Sequence, residues 1–299
     1  MLVFFSKLSN RNQAFVFAIL CILAWSLIPV VSKAVATDLL PLQFLFWSNV
    51  LSSVVIYLLT KKFPVDNFKK QIKENIVITI IPSFLGCFLY YVILYYAYAN
   101  INGISVLVVQ YTWPALVVLL SPIVLKEKLT FQGIISTILG FLAVLVVVTK
   151  GNVTVMQWEN IHTLLIVLGG AFAFAMYSLL SKKIQGNPLV VVLLFFLWAS
   201  LFSLVILLVF GNFSFPSSLR SWLSVIINGA IINGISYFWW LKALQLEKAN
   251  IIAPLVFISP VLATIFLIVF YQEEFFISYF FGIVLCIASG LIATYSKKY

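Results

Sequence analysis

Charge is scarce in this chain. Its 299 positions hold eight acidic residues, eighteen basic residues and one histidine, so only 9% of the sequence is charged. A soluble domain carries about a quarter of its residues charged, and so little polar surface cannot enclose this much apolar side chain in water. The acids Asp38, Asp66, Glu74, Glu127, Glu159, Glu247, Glu273 and Glu274 all fall between or at the ends of apolar stretches. That leaves no candidate for a carboxylate proton relay inside the membrane. His162 has no histidine or cysteine near it, so no metal site, cofactor or catalytic group is expected and the enzyme classes lose their usual machinery. Cysteine is equally sparse. Cys21, Cys87 and Cys286 lie far apart, each within an apolar stretch, and read as small packing residues rather than a disulfide framework.

What is present is long apolar sequence. Hydrophobic residues make up 64% of the chain and the mean hydropathy is +1.16. A helix needs about 20 apolar residues to cross a bilayer core of roughly 30 Å. Ten stretches qualify: 13–33, 39–60, 75–97, 103–125, 131–149, 161–181, 188–210, 221–241, 250–271 and 275–295. They are continuous rather than alternating, which predicts helices and not a barrel. The expected fold is all-α and polytopic, with ten transmembrane helices. Lys7 and Arg11 precede the first stretch as in a signal peptide, but its apolar run is longer than a typical h-region, so it is expected to be retained.

The net charge of +10 invites a nucleic-acid reading until its placement is considered. With the N-terminus inside, fifteen of the eighteen basic residues lie on the cytoplasmic side, and only Lys33, Lys150 and Arg220 lie outside. The positive-inside rule produces this bias for cytoplasmic N- and C-termini. The expected partners are therefore a lipid bilayer and a small-molecule substrate, with no nucleic acid. Oligomeric state is not legible.

An internal echo organises the stretches. An offset of 146 places Ala97 on Ala243, Pro114 on Pro260, Glu127 on Glu273, Ser136 on Gly282 and Gly140 on Cys286. Tyr91 falls on Tyr237 in the same register, and Ser32-Lys33 matches Ser181-Lys182 at an offset of 149. Five spans per unit is an odd number, so the second unit enters from the opposite side. The chain thus divides into 1–152 and 153–299 as two inverted five-helix repeats, a plan of secondary transporters. Pro114 and Pro260 become paired flexure points. Glu127 and Glu273, at helix ends on opposite sides, read first as capping residues and second as gating residues. Lys33 and Lys182 read as lysines snorkelling to the headgroups, with a gating role as the alternative for Lys33.

Leu125-Lys126-Glu127-Lys128 and Tyr271-Gln272-Glu273-Glu274, each ending a fourth span that passes through a proline, resemble the EamA-type drug/metabolite transporter superfamily. Tyr111-Thr112-Trp113-Pro114 and Ala175-Met176-Tyr177 resemble its aromatic amino-acid exporter subgroup. The resemblance implies a central cavity and export of amino acids or other small metabolites. Candidate cavity residues are Trp25, Tyr90, Tyr91, Gln110, Tyr111, Tyr177, Asn233, Tyr237 and Trp240. Their rings suit apolar or cationic groups, and the two amides supply orienting hydrogen bonds. Export of drugs or nucleosides is the alternative within the fold; an intramembrane enzyme on lipid-linked substrates and a passive channel are alternatives of other classes. Short loops fit a bacterial inner-membrane carrier.

Overall fold

The computed structural model describes residues 8–35, 39–156, 160–210 and 213–294, with the side chains of 32–35 and 294 excepted. Its long helices are α1 (Asn10–Val31), α2 (Pro41–Lys62), α3 (Ile80–Asn100), α4 (Gly103–Leu125), α5 (Phe131–Val148), α6 (Ile161–Lys183), α7 (Pro188–Val209), α8 (Leu219–Leu246) and α9 (Ala249–Tyr271). These nine are long and apolar enough to cross a membrane, and a shorter apolar helix, α10 (Ile277–Thr294), completes the expected ten among the described residues. Proline at the first helical turn opens α2 and α7, where its missing N–H would have had no partner anyway. Two boundaries differ from expectation. Residues 76–79 are not helical, so α3 starts at Ile80 rather than 75, and α8 runs well past 221–241 because flanking polar residues continue its turns. The charged stretch after α2 forms a short helix, Phe68–Asn75.

The 146-residue echo extends to backbone irregularities that no composition could show. A π-helical turn occupies Ser83–Leu89 in α3, and another occupies Asn228–Ile235 in α8. The break in α4 at Tyr111–Thr112, just before Trp113-Pro114, faces a tightened 3-10 turn at Ala253–Phe257 in α9, just before Pro260. Both α4 and α9 end on a left-handed residue, Lys126 at φ 57° and Gln272 at φ 53°. Such interruptions are tolerated at membrane depth where neighbouring helices satisfy the freed groups. The first helices differ: α1 turns at Leu27 and resumes at Ile28, whereas α6 is continuous.

Packing interleaves the two units. Helix α2 lies on α7 and α5 on α10, which pairs equivalent helices. Helix α1 packs against α8 and α9, and α6 against α3 and α4, so each unit's first helix lies in the other's core. Small and hydroxyl residues permit this approach. Ser136 Oγ and Ser289 Oγ each donate to the other's backbone carbonyl, at 2.8 and 2.7 Å, joining α5 to α10. Gly282 leaves room for Val147 and Gly140 for Phe257, so the helices approach closely at both glycines. Asn49 Nδ2 donates to Ser203 Oγ at 3.3 Å between α2 and α7.

Candidate functional site

Where the interleaved helices meet, aromatic rings form the centre of the bundle. Trp25 of α1 lies 5.4 Å from Trp240, 6.2 Å from Tyr237 and 6.0 Å from Trp113, ring centre to ring centre. Phe174 of α6 stands 4.6 Å from Tyr90, 4.7 Å from Trp113 and 5.3 Å from Tyr177. Tyr177 in turn lies 5.6 Å from Tyr237. All these rings are buried. Two indole N–H groups find a serine on a neighbouring helix: Trp25 Nε1 donates to Ser236 Oγ at 2.9 Å, and Trp240 Nε1 to Ser178 Oγ at 3.1 Å. A buried indole needs such a partner, so these serines fix the ring orientations.

Tyr91 and Tyr237, equivalents in the repeat, meet hydroxyl to hydroxyl at 3.0 Å. Tyr91 also donates to Asn233 Oδ1 at 3.4 Å, and Tyr237 to the Gly86 carbonyl at 3.4 Å. Asn233 is 1% exposed, and its Nδ2 has no hydrogen-bond partner among the described residues. An amide hydrogen without a partner at that depth carries a desolvation penalty that a bound acceptor would remove. Replacing Tyr237 by Phe removes its contact with the Tyr91 hydroxyl and its bond to the Gly86 carbonyl, at about 1 kcal/mol each. A lower Tm is expected, and an unchanged melting temperature would show that these bonds do not hold the aromatic centre together.

A carboxylate latch lies on the face that carries the N-terminus. Glu127 follows α4, and its carboxylate accepts Lys182 Nζ at 2.6 Å from α6. The same carboxylate accepts the backbone N–H of Ala249 at 2.9 Å and of Asn250 at 3.4 Å, the open first turn of α9. Its side chain is 10% exposed and that of Lys182 18%. Lys182 Nζ also donates to the Glu247 carbonyl at 2.6 Å, Asn250 Nδ2 donates to the Lys128 carbonyl at 2.9 Å, and Arg11 lies 3.6 Å from Glu247. A carboxylate at a helix N-terminus gains from both the dipole and unsatisfied N–H groups. Glu127 therefore caps a helix, as read, but the helix belongs to the other unit. Lys182 does not snorkel outward; it turns into the protein.

The opposite face is arranged differently. The first turn of α4, equivalent to that of α9, is capped by its own Asn102, whose Oδ1 accepts Ile104 N at 2.8 Å. Glu273 is exposed. The Lys33 side chain lies outside the described residues. Gln110 and Tyr111 are half-buried; Gln110 Oε1 accepts the exposed Tyr98 hydroxyl at 3.3 Å and its side chain also meets that of Tyr90, while Tyr111 meets buried Ser259. Trp25, Tyr90, Tyr91, Tyr177, Asn233, Tyr237 and Trp240 are brought together. Sequence reasoning missed Trp113, which entered only within the Tyr111-Thr112-Trp113-Pro114 motif, and Phe174, which aligns with Trp25 at the 149 offset. It also missed Lys182, although Lys33 in the same register was singled out.

Ten apolar helices around a polar-aromatic centre, with a cluster of charged side chains at one end, have the build of a membrane transporter. The family model of the EamA-like transporter family matches residues 12–149 and again 162–295, and the chain belongs to that family. Relatives include the uncharacterized transporter YetK of Bacillus subtilis (strain 168), 24% identical over 266 residues that span 86% of this chain and 77% of YetK. The uncharacterized transporter YyaM of the same organism is 26% identical over 195 residues, 59% of this chain and 60% of YyaM. A crystal structure of a protein 19% identical superposes with a TM-score of 0.82 over 95% of this chain and 97% of its own, a likeness of fold.

Proposed function

We propose that the chain exports small metabolites, most directly amino acids or related compounds, by alternating access around the aromatic centre. The repeats 1–152 and 153–299 move against each other, in a bacterial inner membrane with both termini cytoplasmic. One observation carries the reading: Glu127 fastens the first turn of α9, while the equivalent first turn of α4 is left to Asn102. Equivalent parts of the two halves thus occupy different states. In the alternate state the same logic brings Glu273 to the amides of Gly103 and Ile104, with Lys33 beside it in the role of Lys182. Tyr91, Tyr237 and Asn233 orient the substrate; Trp25 and Trp240 supply π faces for an apolar or cationic group. Gln110, beside Tyr90, and Tyr111, beside Ser259, add hydrogen-bonding groups, and Pro114 and Pro260 flex with the two breaks.

Purified protein in liposomes tests this. Saturable uptake accelerated by amino acid on the far side supports the carrier, and competition by nucleosides or cationic drugs would reassign the substrate class. Flux linear in concentration would make it a channel and defeat the alternating-access reading. Turnover of a lipid-linked substrate without flux would defeat transport altogether.

A further inference from the structure

The segment 61–78 places two unlike surfaces side by side. Lys61, Lys62, Lys69, Lys70 and Lys73 are exposed, against only two carboxylates in the segment, Asp66 and Glu74. The Lys70–Glu74 pair, at 3.8 Å and more than half exposed on both sides, neutralises little in water. Next in the chain come Ile76, Val77 and Ile78, all exposed, with Val77 at 72%. In a membrane protein an exposed aliphatic strip meets acyl chains, which sets the adjoining lysines at headgroup level.

The helix Phe68–Asn75 is also fastened to the bundle. Phe68 and Ile72 are half-buried, and the Phe68 ring lies 6.5 Å from that of Tyr57. Gln71 Oε1 accepts Asn187 N at 2.7 Å, and Asn187 Oδ1 caps α7 by accepting Leu189 N at 2.9 Å. Gly186, at φ +129°, has Gln71 and Asn75 3.2 Å from where a Cβ would stand, so the turn fits closely under the helix. That turn follows directly from the end of α6, which carries Lys182.

We propose that this lysine collar binds anionic phospholipid headgroups, and that bound lipid steadies the 184–187 turn and through it the closed Glu127–Lys182 latch. The lipid, rather than an acidic protein or nucleic acid, is the occupant because the aliphatic strip beside the lysines holds them against the bilayer. The binding stands independently of any substrate; the effect on the latch rests on the transport reading above.

The full chain in detergent is titrated with phosphatidylglycerol or phosphatidylcholine, following thermal unfolding and lipid retained in native mass spectra. Phosphatidylglycerol is expected to raise Tm by several degrees and phosphatidylcholine not to. K69Q/K70Q/K73Q, which keeps Lys61 and Lys62, is expected to weaken that binding about fivefold per lysine. An undiminished response in this variant, or an equal response to phosphatidylcholine, overturns the proposal. So does an equal shift with inorganic phosphate, an acidic peptide or duplex DNA. For the latch, Ser181→Cys in a background lacking the three native cysteines is labelled from the N-terminal face in liposomes. Phosphatidylglycerol is expected to slow labelling severalfold, and Gln71→Ala to abolish that slowing while lipid is still retained. Binding without any slowing overturns the coupling alone, whereas failed counterflow with lipid still bound overturns the transport reading and leaves the collar in place.

Discussion

Glu127→Gln is expected to open the N-terminal face and to stop coupled exchange. The substitution keeps the side chain's size but removes the charge that holds Lys182 at 2.6 Å and the first turn of α9 at 2.9 Å. Breaking a largely buried pair while leaving its partner in place costs about 2–4 kcal/mol, somewhat less than a fully buried one. If that energy holds one state against the other, the balance shifts roughly 30- to 1,000-fold. Labelling of Ser181→Cys from that face should accelerate strongly, and counterflow should fall to background. Lys182→Met should do much the same. The double variant should fall short of the sum of the two losses, because both changes remove the Glu127–Lys182 pair while the α9 bonds of Glu127 and the Glu247 bond of Lys182 are each touched by one change only. Additive losses would show that Glu127 and Lys182 act separately and that the latch is not a unit.

Gly86→Ala is expected to be the most damaging small substitution in the bundle. A methyl group there would stand 2.1 Å from Tyr177 Cγ and 2.5 Å from its Cβ. Tyr177 cannot yield, being fully buried with Phe195 5.4 Å and Tyr237 5.6 Å from its ring. Helix α3 must therefore move at its π turn, where the Gly86 carbonyl accepts the Tyr237 hydroxyl. Overpacking of this kind costs about 1–3 kcal/mol and at times more. A Tm several degrees lower and loss of counterflow are expected together. Gly169→Ala is the control, since nothing lies within 4 Å of its added methyl. If the two variants melted alike, the close approach of α3 to α6 at Gly86 would not be a constraint on the fold.

Much of this architecture was legible because lipid imposes simple rules. Span length follows from bilayer thickness, and the 146-residue register is visible in a chain that the family model matches over 12–149 and again over 162–295. The site was legible in part. Tyr91 and Tyr237 were paired by number before they were seen to touch at 3.0 Å, and Trp25, Tyr90, Tyr177 and Trp240 were selected as aromatic residues at membrane depth. Phe174 was passed over because a phenylalanine among twenty-eight carries no polar signal. Lys182 was misread because lysine at a helix end has two outcomes, outward to headgroups or inward to a carboxylate, and only the neighbouring helix decides.

The carboxylate latch shows the division most clearly. Sequence by itself determined that Glu127 and Glu273 share one register and that each follows an apolar stretch passing through a proline. It determined this because repetition and hydropathy are properties of one chain read along its length. Tertiary structure alone decided that Glu127 reaches across the interleaved halves to the amides of α9 while the matching turn of α4 keeps its own cap. Such asymmetry belongs to a state of the molecule, set by which helix ends are brought within about 3 Å of a charge, and two copies of the same pattern in a sequence carry no record of it.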